Sequence, residues 1–176
     1  MRQRFFILIG IAAVALVAST AALASNLTAT ATVTGTAGIS LNLPSNPSIS
    51  NTLDGTDQTV SYAPVLGVTD ARGLGTGWNL TISATTFSDG ASHTLAPGTL
   101  SGVTSACKAG STCTATSNSV TYPITIGGTA SKFFNSAANS GLGRFDVTPT
   151  INVAIPGNAY AGTYTSTVTI AAVSGP

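Results

Sequence analysis

The sequence predicts an all-β protein: a single-domain antiparallel β-sandwich, preceded by an N-terminal signal peptide. Three observations carry the fold class. Beyond residue 24 there is no Glu and no Met, and only one Gln and two Lys, so helix-favouring residues are nearly gone. Roughly a third of that stretch is Ser and Thr, and glycine is plentiful, which suits strands joined by tight turns. Val, Ile, Leu and aromatic residues recur with period two, which puts them on one face of an extended strand and argues against disorder.

The chain opens Met1-Arg2-Gln3-Arg4 and then carries no charge from Phe5 to Leu23. Two arginines, an apolar run and the small-residue site Ala22-Leu23-Ala24 make a secretory signal, with cleavage expected between Ala24 and Ser25. The rival reading is an uncleaved anchor, since about 20 apolar residues can cross a bilayer. Ser19, Thr20 and the alanines weaken it. A pilin-type leader, cut ahead of the apolar run, is a further alternative. On the cleaved reading, residues 25–176 remain as one domain with no membrane span, long enough for a core and without a recognisable linker.

Alternating runs mark the expected strands. Leu27, Ala29, Ala31 and Val33 alternate with threonines, and Ile39, Leu41 and Leu43 with Ser40 and Asn42. Trp78, Leu80, Ile82 and Ala84 share one parity, as do Val120, Tyr122, Ile124 and Ile126. Ile151, Val153 and Ile155 follow, and finally Tyr164, Val168, Ile170 and Ala172. Residues 44–55 are the least patterned and read as a loop. Gly, Pro, Asn and Asp clusters between the runs supply the turns of a sandwich or barrel.

Charge narrows the partners. Without Arg2 and Arg4, four basic residues stand against five aspartates, so the net charge moves from +1 to −1. Lysine occurs only at 108 and 132, and no basic patch can neutralise phosphates, which excludes nucleic acid.

The only tryptophan, Trp78, sits on the core parity of its strand, so its simplest role is a hydrophobic filler; ligand contact is the competing or additional one. Gly73-Leu74-Gly75-Thr76-Gly77 precedes it. This run lacks dinucleotide-fingerprint spacing and opens a strand, so it reads as a flexible or bulged strand entry. Asp70 and Arg72 form a charge pair near the tryptophan, expected to be solvated and worth little.

Trp78-Asn79-Leu80 and, near the end of the sequence, Tyr164 followed by Val168-Thr169-Ile170 form two segments that in this order resemble the WxL domain of bacterial surface proteins. The proximal motif is Trp78-Asn79-Leu80, set between Val68-Thr69-Asp70-Ala71-Arg72-Gly73 and Thr81-Ile82-Ser83-Ala84-Thr85-Thr86-Phe87. The distal one is Gly162-Thr163-Tyr164-Thr165-Ser166-Thr167-Val168-Thr169-Ile170, with Ile170 standing where the family has a second tryptophan. The resemblance covers about residues 27–176. It implies a β fold that holds peptidoglycan, or another surface polysaccharide, non-covalently at the cell surface. Trp78, Asn79, Leu80 and Tyr164 are its candidate binding residues, and the missing distal tryptophan bears most on the binding surface.

The remaining motifs are weaker. Cys107 and Cys113, in an exported chain, read as a local disulfide closing a small loop. A metal site at these cysteines lacks further ligands, because His93 is the only histidine. His93, beside Asp89-Gly90, reads as an exposed turn residue. A Ser-His-Asp triad is recognised only by geometry, and no nucleophile elbow accompanies this histidine. Asp54-Gly55-Thr56-Asp57 is too short for an EF-hand loop and reads first as a turn. Asn26-Leu27-Thr28 and Asn79-Leu80-Thr81 satisfy the glycosylation sequon but follow a bacterial-looking export signal. The expectation is therefore a non-enzymatic surface protein without cofactor or metal, whose partners are cell-wall peptidoglycan or another surface polysaccharide, and other surface proteins. The alternative is a structural subunit of a filament or layer, with residues 27–33 donated as a strand to a neighbour. A secreted hydrolase is the third class, poorly served by such sparse acids, bases and nucleophiles.

Overall fold

A single long strand organises the larger sheet of the computed structural model, which describes residues 29–176. It is β10 (Gly143–Ile155), and its residues Phe145, Val147, Pro149, Ile151 and Val153 are all buried, the period-two pattern of a half-buried strand. β3 (Leu66–Asp70) and β2 (Gln58–Tyr62) pair with successive parts of β10 on one side, and β7 (Thr99–Cys107) pairs along the other. β1 (Ile39–Asn42) extends the sheet beyond β3, and β8 (Ile124–Thr125) extends it beyond β7. Every pairing is antiparallel.

Pro149 is buried in the middle of this sheet, where a residue without an N–H ordinarily breaks a ladder. Its position resolves the conflict. β3 pairs with Gly143 to Val147 and β2 begins only at Ile151, so Pro149 falls in the gap between them. A register shift against β7 follows directly, between Thr150 and Ile151.

The second sheet is β11 (Val168–Ser174), β4 (Trp78–Ala84) and β9 (Ser131–Ser136), with β4 in the centre. Consecutive Phe133 and Phe134 are both buried in β9, although alternation would expose one of them. The bulge explains this: Leu80 pairs with Phe134 and Thr81 with Lys132, so Phe133 is the extra residue, turned inward. A two-stranded hairpin, β5 (Phe87–Ser88) with β6 (Thr94–Leu95), lies beyond β4.

The two sheets face each other as a sandwich. Leu66, Val68, Leu100 and Phe145 come from the larger sheet and Trp78, Leu80, Ile82 and Phe133 from the smaller, all fully buried. Each such side chain stabilises the fold by about 1.5–3 kcal/mol through burial. All of this belongs to the unit Val33–Pro176. Among the described residues no helix is long and apolar enough to cross a membrane. The proposed signal peptide, residues 1–24, lies outside the described residues.

Several expected strands are redrawn. Residues 29–34, the described part of the first alternating run, form no strand. The run 120–126 contributes only β8, since Pro123 interrupts it without an N–H to give. The closing strand starts at Val168 rather than Tyr164; before it only Thr165 makes a bridge, to Ser88. Residues 44–55 carry no strand, as expected.

Candidate binding groove

The two motif segments are neighbours. β4 and β11 pair along their full lengths, from Trp78 opposite Ser174 to Ala84 opposite Val168, with Ile170 opposite Ile82. Seven residues of strand separate the two ends by about 20 Å. The ends differ in kind: one is sealed and the other is open.

At the sealed end Trp78 is 0% exposed. Its ring lies against Phe134 and Phe145, with centroids 5.7 and 6.0 Å away in tilted geometry. Its Nε1–H donates to the Gly141 carbonyl oxygen at 2.9 Å, which satisfies the one polar atom of the ring. Leu80 is equally buried, and Asn79 is nearly so, with its Nδ2 donating to the Gly175 carbonyl at 2.8 Å. Ile170 is not at this end: it pairs with Ile82 farther along the ladder, is half-buried against the core and lines the smaller groove.

The charge pair beside the tryptophan is not solvated. Asp70 and Arg72 are 1% and 7% exposed. Arg72 Nε and Nη2 donate to the two Asp70 carboxylate oxygens, each at 2.8 Å, a bidentate fork. Nη2 also donates to the Gly77 carbonyl at 2.7 Å, and Nη1 reaches the Ser174 hydroxyl. The Arg72 hydrogen bonds hold the Asp70 carboxyl below its ordinary 3.8, against the opposing effect of burial. One guanidinium thus joins β3, the glycine-rich turn and the end of β11. The sequence supplied the pair but not its burial, because nothing in a three-residue spacing tells that Gly77 and Ser174 close over it.

Tyr164 lies at the open end, half-buried, and its hydroxyl donates to the Tyr160 carbonyl at 2.9 Å. It lines two adjoining grooves, of about 730 and 450 Å³, that share Pro47, Ile49, Phe87, Tyr164 and Thr165. Residues 43–53 form one wall and residues 159–168 the other. The described lining residues are apolar, aromatic, hydroxyl- or amide-bearing, and none carries a charge. Such a surface offers ring faces and hydrogen bonds in place of charge pairs. Of the four candidate residues, Trp78, Asn79 and Leu80 are therefore brought together inside the protein, and Tyr164 stands apart at the groove.

Sequence reasoning missed the other groove aromatics, Tyr160, Phe87 and Tyr62, because they belong to three separate segments. Tyr160 is 64% exposed and stacks on His93, with ring centroids 3.9 Å apart. His93 is thus a half-buried, held side chain rather than a free turn residue, with Nδ1 against Asp89 Oδ2 at 2.5 Å. Donation from the Ala91 backbone N–H, then from His93, lowers the Asp89 carboxyl below its ordinary value. Cys107 and Cys113 form a disulfide with Cα atoms 5.8 Å apart, at the end of β7 away from the groove. The Asp54 segment is a turn: Asp54 Oδ1 accepts from the Thr56 N–H and hydroxyl, and Asp57 from the Gly157 N–H. Among the described residues no cluster of three or more metal-ligating side chains occurs.

The chain is thus an antiparallel sandwich, sealed at one end and opening at the other into an uncharged groove. The family model for the WxL domain, described as surface cell wall-binding, matches residues 28–171, and the chain belongs to that family. No curated protein and no solved structure matches this chain.

Proposed function

We propose that the protein is exported, is non-catalytic, and binds the peptidoglycan of the cell wall non-covalently through the groove at Tyr164. The observation that carries this reading is the uncharged, hydroxyl- and aromatic-lined groove on a domain of a wall-binding family. Neutral sugar rings present hydroxyls and apolar C–H faces, and those groups are complementary to Ser, Thr and Asn beside tyrosine rings. Export is supported by the arginines, apolar run and Ala22-Leu23-Ala24 site at the N-terminus. Trp78, Asn79 and Leu80 then act as the frame of the groove rather than its contacts, consistent with their burial.

Sedimentation of the pure protein with purified, protein-free cell walls tests the reading. Wild type and Trp78→Phe are expected in the wall pellet, and Tyr164→Ala in the supernatant. A wild-type protein that stays in the supernatant at every wall concentration overturns it. Intact mass of the exported protein is expected to begin at Ser25.

A second reading, a filament or layer subunit assembled by strand exchange, draws on residues 29–34, an alternating run that forms no strand. It predicts concentration-dependent fibres in the absence of walls. A chain that stays monomeric at high concentration and pellets only with walls excludes it.

A further inference from the structure

We propose that Tyr160 is a rigid stacking platform for one sugar ring of a neutral glycan chain, with Asp89 and His93 as the residues that position it. The proposal rests on the wall-binding reading and names the part of the wall polymer that is recognised: the glycan backbone, not its charged peptide stems.

Tyr160 is the most exposed aromatic residue of the described chain, at 64%, and an exposed ring ordinarily samples several orientations. This ring does not hang free. One face lies on the His93 imidazole, 3.9 Å between centroids and 19° between planes. His93 is fixed in turn by Asp89, whose Oδ2 meets Nδ1 and whose Oδ1 accepts the backbone N–H of both His93 and Ala91. The backbone of Tyr160 is also held, since its carbonyl accepts the Tyr164 hydroxyl. A short chain of contacts thus runs from the turn between β5 and β6, through Asp89, His93 and Tyr160, to Tyr164 in the groove.

Tyr160 lines the larger groove, whereas His93 does not, so the stacked histidine leaves the ring available there. A ring fixed before the ligand arrives contributes more affinity than a mobile one, because the cost of ordering it has already been met by folding. Its apolar face suits the C–H face of a pyranose, and the surrounding hydroxyls and amides suit the ring substituents. Charge selects among wall components. Peptide stems and phosphate-bearing wall polymers are ionic, and the described lining residues offer no opposite charge to replace the water they would lose. A chain of N-acetylated amino sugars has no such loss.

The experiment uses the full mature protein with two probes, purified cell walls in a pelleting assay and soluble N-acetylglucosamine oligomers in titration. Tyr160→Ala is expected to keep the wild-type unfolding midpoint and to weaken binding to both probes about tenfold, the upper end for one aromatic contact. Tyr160→Phe keeps the ring and binds like wild type. His93→Ala weakens binding at unchanged stability, and His93→Phe, which restores a stacking partner, recovers it; a purely structural histidine would not give that recovery in binding alone. If wild type binds walls and Tyr160→Ala binds them equally, the platform is wrong and the wall-binding reading stands. Binding to walls with none to the sugar oligomer overturns the assignment to the glycan backbone. Wild type that binds neither probe overturns both readings, and failure of His93→Phe to recover binding overturns the positioning role.

Discussion

Trp78 and Gly141 are built as a pair: the indole Nε1–H donates to the Gly141 carbonyl at 2.9 Å, and a Cβ on Gly141 would stand 2.7 Å from that same nitrogen and collide with the Ser136 side chain. Gly141 also has a φ of +70°, a conformation that costs an L side chain about 1–2 kcal/mol. Gly141→Ala is therefore expected to destabilise by about 2–5 kcal/mol, combining backbone strain with overpacking. Urea unfolding measures it; a loss below 1 kcal/mol would mean that the indole and its acceptor can separate cheaply.

Trp78→Ala removes a fully enclosed ring and is expected to cost about 3–5 kcal/mol. Trp78→Phe should cost less and leave wall binding unchanged, because the ring has no surface outside the core. The pairing of a large stability loss with intact binding in the Phe variant is the result that assigns this residue to the frame. A Phe variant that folds normally and no longer pellets with walls contradicts that assignment.

Arg72→Ala leaves Asp70 buried without its partner and the Gly77 carbonyl without its donor. The expected loss is about 3–5 kcal/mol, the range for breaking a buried ion pair from one side. A loss under 1 kcal/mol, read from the unfolding midpoint, would contradict the buried geometry.

The same pair gives a pH dependence with a definite sign. The folded-state pKa of Asp70 lies below its ordinary 3.8, chiefly through the Arg72 side-chain hydrogen bonds. Its contribution is fully present above that ordinary value and is lost as pH falls through the lower, folded-state one. Stability should thus be flat in this respect near neutrality and fall in strong acid. Asp70→Asn, less stable at neutral pH, is expected to lose less on acidification than wild type, as followed by urea midpoints across the acid range.

Cys107 and Cys113 are expected to resist alkylation until reduced, in line with their Cα separation of 5.8 Å. Replacing both with Ser should cost about 2.4 kcal/mol by the chain-entropy estimate for so short a loop, without loss of wall binding, since the bridge lies away from the groove. Labelling of both thiols in freshly exported, unreduced protein would exclude the bridge.

What was legible in the sequence was the class of fold and the strands that follow strict alternation, β1, β4 and the second half of β10. What was not legible traces to specific residues. Phe133-Phe134 breaks alternation because of a bulge, and Pro149 argues against a central strand that exists only because two neighbours stop short of it. Gly102 dilutes the pattern of β7. In the candidate groove, Tyr164 belongs to the closing segment that the sequence singles out, whereas Tyr160, Phe87 and Tyr62 converge only through tertiary structure. The burial of Asp70 and Arg72 was hidden for the same reason, since the groups that close over them come from Gly77 and the far end of the chain.

The ladder between β4 and β11 carries a recognisable motif at one end and an open mouth at the other, and natural selection can act on the two separately. Substitutions around Trp78 would be purged in any descendant that must still fold. Substitutions among residues 43–53 and 159–167 leave the frame intact, so paralogues could drift toward new ligands there while remaining indistinguishable by motif. A survey that counts Trp-x-Leu segments would then enumerate chassis, and the ligand repertoire of such proteins would have to be charted from their loops.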